Sequence, residues 1–190
     1  PYFKTESSKN SMNTYRSFEP NARVIFPYYK DRKGRLEVIP LTKIERKYPR
    51  LYDYLMLVKP ALSSSSRNIL PSPKTDEEWH RYGRQQSLEA CEVAMKIIVG
   101  VLSRGEKYAV DTHGTLVASG GTAGYCIVSV PKASPYSIYY IQAILGSAQG
   151  EWLASLYGEI FRGGYIARGT KVLKQIPVRT INFADSKEKA

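Results

Sequence analysis

Two stretches of this 190-residue chain hold residue types suited to recognition chemistry. The first is Trp79-His80-Arg81-Tyr82-Gly83-Arg84-Gln85-Gln86. An arginine can bond in bidentate fashion to guanine O6 and N7, and a glutamine to adenine N6 and N7. Trp79 and Tyr82 add stacking or packing surface beside them. The same residues also fit a solvent-facing stretch with Trp79 anchored in a core. The second runs Arg162-Gly163-Gly164-Tyr165-Ile166-Ala167-Arg168-Gly169-Thr170-Lys171-Val172-Leu173-Lys174. Glycines let a backbone approach a phosphate closely, and basic groups interleaved with a tyrosine and a threonine hydroxyl can clamp one. A plain basic turn between a helix and a strand is the alternative.

Bond-making chemistry finds no such foothold. An adenine methyltransferase needs a glycine-rich methyl-donor loop and an Asn-Pro-Pro-Tyr-type tetrapeptide, and the sequence contains neither. Gly120, Gly121 and Gly124 are not followed by Lys and Ser or Thr, so they read as turn formers rather than a phosphate-binding loop. His80 and His113 are the two histidines, and neither has a second ligand at metal spacing. Asp185-Ser186-Lys187 lies in a polar tail, where a nuclease metal site would need strand context. Cys91 and Cys126 sit among apolar residues and read as buried thiols. The expectation is a chain with no catalytic residues, no metal and no cofactor of its own.

Charge points to the class of partner. The chain has 28 Lys+Arg against 17 Asp+Glu, a net charge of +11 and a pI near 9.6. Such a surface attracts polyanions through counterion release and long-range steering, although a basic surface with no partner has the same composition. Hydrophobic residues make up 43% of the chain, enough to bury a core and to exclude wholesale disorder. No apolar run approaches the roughly 18 residues of a membrane span. The first ten residues lack the apolar centre of a signal peptide. The chain begins at Pro1 rather than Met, which suggests a piece of something longer, and a cytoplasmic location is expected.

The elements that must position these residues follow from spacing. Residues 1–21 read as an irregular lead-in, and residues 22–70 as a hairpin plus helical lobe. Within that lobe, Val24 to Tyr29 and Leu36 to Ile39 flank an Asp31-Arg32-Lys33-Gly34 turn. Leu41 to Ile44 open a helix with Thr42 as candidate cap, and Pro49 starts another carrying Leu51, Tyr54, Leu55 and Val58. Pro60 does not forbid that helix from continuing. Ser63-Ser64-Ser65-Ser66 and Pro71-Ser72-Pro73 form a linker, and Asp76-Glu77-Glu78 reads as the acidic first turn of a helix containing Trp79. Residues 74–183 read as a β-rich lobe, and 184–190 as a polar tail. Strands are expected near Lys96 to Val99, Lys107 to Asp111, Thr115 to Ala118 and Tyr125 to Val130. Helices are expected from about Tyr136 to Leu145 and Gln149 to Phe161, ended by Gly163-Gly164, with Lys171 to Val178 returning as an edge strand. The fold class expected is α+β: a helical and hairpin lobe, then a twisted antiparallel sheet with packed helices.

Taken in order, these pieces resemble the TaqI-like C-terminal specificity domain of combined restriction-modification enzymes and N6-adenine DNA methyltransferases. They are Val24-Ile25-Phe26-Pro27-Tyr28 with the Gly34 turn, Tyr48 to Leu55, and Trp79 through Tyr82-Gly83-Arg84-Gln85. The series continues with Lys96-Ile97-Ile98, Asp111 with Gly114 to Tyr125, and Ala143-Ile144-Leu145-Gly146-Ser147. It closes with Arg162-Gly163-Gly164-Tyr165 and Leu173-Lys174-Gln175-Ile176-Pro177-Val178, so the resemblance covers nearly the whole chain. Gly146 departs from it, standing where relatives often have Asn at a helix end. The resemblance implies a target-recognition domain that binds double-stranded DNA beside a methyltransferase domain of the same parent chain. That neighbour would flip out and methylate an adenine, with S-adenosylmethionine as its methyl donor. With the basic clustering, it assigns phosphate contacts to Arg81, Arg84, Arg162, Arg168, Lys171 and Lys174. Gln85, Gln86, Tyr125 and Tyr165 are the candidates for base or sugar contacts. An RNA or single-strand binder, and a basic module docking on a methyltransferase partner, are the rival readings.

Overall fold

The computed structural model describes residues 2–3, 23–62, 78–84, 88, 93–104, 108–117 and 124–189. The chain forms two compact units, residues 24–89 and residues 1–23 with 90–190. The described residues mix helices with mainly antiparallel sheets, the α+β class expected.

The smaller unit begins with an antiparallel hairpin of β2 (Tyr28–Lys30) and β3 (Leu36–Val38). Asp31 closes its turn, accepting the Lys33 and Arg35 backbone N–H groups at 2.8 Å each. Helix α1 (Leu41–Lys47) follows, and its cap position is Pro40 rather than Thr42. Pro40 has a fixed φ and needs no N–H of its own there, so it can begin the turn without a side-chain cap. Helix α2 (Pro49–Leu62) starts at Pro49 and carries Pro60 in its last turn. Ile44 of α1, Leu55 of α2 and Trp79 make one buried cluster. The Trp79 stretch therefore belongs with the hairpin and helices, not with the β-rich lobe. Residues 78–81 form a tight turn; Asp76 and Glu77 of the expected helix lie outside the described residues.

The larger unit is built on a three-stranded antiparallel sheet in the order β6-β4-β8. These strands are β4 (Lys96–Gly100), β6 (Tyr108–Asp111) and β8 (Tyr125–Val128). Every residue of β4 is buried, which is why, after Lys96, it reads as an apolar run rather than an alternation. Ile97 and Val99 face the main core with Ile138, Leu145, Ala154, Val172 and Ile176. Ile98 packs on the other side with Ala109 and Val117 of β7 (Leu116–Val117). The lead-in expected to be irregular supplies β1 (Tyr2–Phe3), which pairs in parallel with β7.

Helices α3 (Ile138–Leu145) and α4 (Ala148–Tyr157) cover the sheet and one another. Ser137 caps the first and Ser147 the second, each accepting a backbone N–H, while Gly146 ends α3. The second helix stops at Tyr157, four residues short of expectation. Ile160 and Phe161 instead form β9 (Ile160–Phe161), paired with β10 (Tyr165–Ala167), which in turn pairs with β5 (Leu102–Ser103). The expected edge strand from Lys171 is also absent; α5 (Thr170–Leu173) occupies its start. Val172 and Ile176, four apart, both enter the main core, a helical spacing that overrides the strand pattern. In the tail, α6 (Ser186–Lys189) is one turn whose entry Asp185 caps by accepting the Lys187 N–H at 2.9 Å. That is the role of the Asp185-Ser186-Lys187 string.

Candidate nucleic-acid interface

The β9–β10 hairpin is the exposed structure that gathers the second recognition stretch. Phe161 and Tyr165 are directly opposed across it, and Arg162-Gly163-Gly164 form the tip. Both glycines take positive φ, 85° and 77°, a conformation that costs other residues strain. The Gly164 N–H donates to the Phe161 carbonyl at 3.1 Å and closes the turn. Two side chains lie along this tip. A Cβ at Gly163 would stand 3.5 Å from the Tyr165 ring, and one at Gly164 would stand 3.9 Å from Nε of Arg104. Arg104 follows β5, the strand on the other side of β10. Arg104, Arg162, Lys171 and Lys174 are all exposed.

Arg168 is different. It is 0% exposed. Its guanidinium pairs with the Glu151 carboxylate on α4 and donates to the Ser103 carbonyl and hydroxyl at 2.7 and 2.9 Å. Glu151 also accepts the Tyr108 hydroxyl at 3.0 Å. Burial, with the Glu151 charge beside it, pushes that phenol well above its ordinary range. The expectation that Arg168 holds a phosphate is therefore corrected: its donors are spent on fixing the root of the hairpin.

Arg81 needs the same correction. It is buried and pairs with Glu78 at 2.8 Å. Around it, His80 Nε2 lies 2.9 Å from the Ile39 carbonyl, and the Tyr82 hydroxyl donates to the Ile25 carbonyl at 2.6 Å. Arg84 is exposed and donates to the Gly83 carbonyl; Gln85 and Gln86 lie outside the described residues. Tyr125 is half-buried on β8 against Ile98, Ala109 and Val117, away from the role of an exposed base contact. Sequence reasoning missed Arg104 and Phe161. Arg104 lies some sixty residues before the hairpin, and Phe161 continues the apolar spacing of a helix, so neither carries a local signal.

Elsewhere in the larger unit, Lys96 and Asp111 form a fully buried ion pair at 2.6 Å. Burial alone would raise the Asp111 carboxyl. The Lys96 ammonium and the His113 and Thr115 backbone N–H groups outweigh it and hold the group below its ordinary value. Burial pushes the Cys126 thiol up to about 11, so it stays protonated at neutral pH; Cys91 lies outside the described residues. Among the described residues no three His, Cys, Asp or Glu side chains group as metal ligands. No helix among them is long and apolar enough to cross a membrane.

The described residues define a small α+β fold with basic and aromatic side chains gathered at one hairpin. Over all 190 of its residues the chain is 50% identical to the type II restriction enzyme and methyltransferase RM.Eco57I of Escherichia coli. It spans 19% of the length of that relative. The chain is thus related to a segment of a restriction-modification enzyme. No protein-family profile matches it, and no solved structure does.

Proposed function

We propose that this chain is a target-recognition domain of the TaqI-like kind, reading duplex DNA sequence for methylation or cleavage performed elsewhere in its parent protein. The observation that carries the reading is the 50% identity, over the whole chain, to part of a restriction enzyme and methyltransferase. A chain that has neither a methyl-donor loop nor a catalytic tetrapeptide, and carries a net charge of +11, suits the recognition part of such an enzyme. The parent's methyltransferase domain would be its neighbour and would use S-adenosylmethionine. Arg104, Arg162, Lys171 and Lys174 neutralise phosphates, and Tyr165 contacts a base or sugar. Arg84, Gln85 and Gln86 remain candidates from the sequence.

The test is a titration of duplex DNA at several salt concentrations, with single-stranded DNA and RNA as competitors. Duplex should compete best. Replacing Arg162, Lys171 and Lys174 together with Ala should lower the salt slope by about 2.7 units, at roughly 0.9 for each phosphate left unneutralised. An unchanged slope in a folded variant removes these residues from the interface. Preference for RNA or single strands would contradict the duplex reading.

A second reading has one observation in its favour. Trp152 and Leu156, one turn apart on α4, are 62% and 59% exposed, which suits a face docked on another protein domain. Such a module would bind a methyltransferase domain tightly and duplex DNA negligibly.

A further inference from the structure

The exposed apolar surface of the larger unit brings the hairpin forward again, for a reason that phosphate binding does not explain. Phe161 and Tyr165, 40% and 44% exposed, stand opposite one another in the backbone register next to the tip of the three-stranded β5-β10-β9 sheet. The backbone register alone would be satisfied by a polar pair, and each ring keeps about two-fifths of its surface open to water. Its surroundings are cationic. Arg162, Lys171 and Lys174 are the exposed cations of residues 160–174, Arg104 lies across the glycine tip, and the exposed Glu159 at the root is the one acid flanking them. Arg168 is bonded to β5 and α4, so the hairpin stands on a fixed root.

From this we infer that the β9–β10 hairpin is a wedge that packs Phe161 and Tyr165 against an unstacked base step of duplex DNA, while Arg104 and Arg162 hold the flanking phosphates. The inference rests on the duplex-recognition reading above and adds the element that deforms the duplex. Apolar side chains inserted at a base step partly unstack it, and the larger protein surface that the bent duplex then covers offsets the unstacking cost. The β5 pairing stops at Ile166, so the Phe161–Tyr165 pair and the glycine turn form a two-stranded tip, a width that a groove admits. Aromatic rings stack on any exposed base face, which makes the interaction tolerant of sequence. The Gly163-Gly164 tip brings backbone close to the sugar-phosphate edge with no side chain in the way. Charge complementarity favours DNA over a protein occupant, which would need an acidic rim around an apolar centre.

A duplex containing one abasic site has part of that unstacking already done, so it serves as the probe. Binding of the intact chain to this duplex and to its fully paired counterpart is compared at one salt concentration. The chain should prefer the abasic duplex by about tenfold, because unstacking a step costs a few kcal/mol. Phe161→Ala with Tyr165→Ala should weaken binding to both duplexes and abolish the preference, while the salt slope stays unchanged because the phosphate contacts remain. Tyr165→Phe keeps the ring and should keep the preference. Thermal melting identifies any variant that fails to fold, and Phe161→Thr with Tyr165→Thr, polar but suited to strands, is then the replacement. Paired-duplex binding with no abasic preference, or a preference that survives loss of both rings, overturns the wedge and leaves duplex recognition standing. Absence of binding to either duplex overturns both.

Discussion

Residues 79–84 and residues 160–168 carry similar ingredients, arginine, tyrosine and glycine among apolar neighbours, and the fold turns them in opposite directions. In the first, Trp79, His80 and Arg81 are all buried, and Tyr82 is bonded to the Ile25 carbonyl. In the second, the strands are so short that Phe161, Arg162 and Tyr165 stay outside, and only Arg168 turns in. What separates these basic residues is an ion-pair partner. Glu78 takes Arg81 and Glu151 takes Arg168, whereas Arg104, Arg162, Lys171 and Lys174 form no ion pair with the described residues. Basic residues close in sequence can thus divide between holding a fold together and meeting a ligand.

The largest expected effect falls on the inward group. Arg168→Ala leaves the Glu151 carboxylate beside a buried phenol with its cation gone, and should cost about 3–5 kcal/mol in denaturant unfolding. Arg162→Ala, six residues away, should stay within about 0.5 kcal/mol of the parent. Equal effects at the two positions would break the comparison.

Lys96–Asp111 extends the inward class to a second buried pair. The folded Asp111 carboxyl titrates below its ordinary value of 3.8, so its contribution is complete at neutral pH and is lost as pH falls through the folded value. The melting-temperature gap between the chain and Asp111→Asn should therefore be constant above about pH 5 and close below about pH 4. A gap that already narrows between pH 7 and pH 5 would contradict the pairing.

Smaller effects sharpen the contrast within residues 79–84. Arg81→Ala should cost about 1.5–3 kcal/mol, the range for a hydrogen bond to a charged group, without changing the salt slope of DNA binding. Smallest in stability but opposite in readout is Arg104→Ala, which should leave unfolding unchanged and lower the salt slope by about 0.9.

Much of the framework is legible in the sequence because its signals are local. Leu51, Leu55 and Val58 at helical spacing mark α2, the apolar run Ile97-Ile98-Val99 marks the buried central strand, and Pro49 marks a helix start. The hairpin is not legible. Strands of two and three residues cannot show an alternation, and Ile160 and Phe161 continue the apolar stripe of α4 closely enough to pass for its last turn. Gly163 and Gly164 read as a stop, but a positive-φ pair serves a helix end and a hairpin tip equally well. Arg104 cannot be joined to the hairpin at all, because the β5–β10 pairing spans more than sixty residues. Side-chain direction is the other blind spot. Arg168 reads as a free cation until Glu151 and Ser103 are seen beside it.

Recognition of duplex sequence is tested by a selection. The chain is used to enrich randomised duplex DNA at near-physiological salt, with a scrambled polyanion as competitor. Recovery of a defined short motif is the expected result. A bound pool without any motif would contradict the claim, leaving a basic surface that holds phosphate and reads nothing.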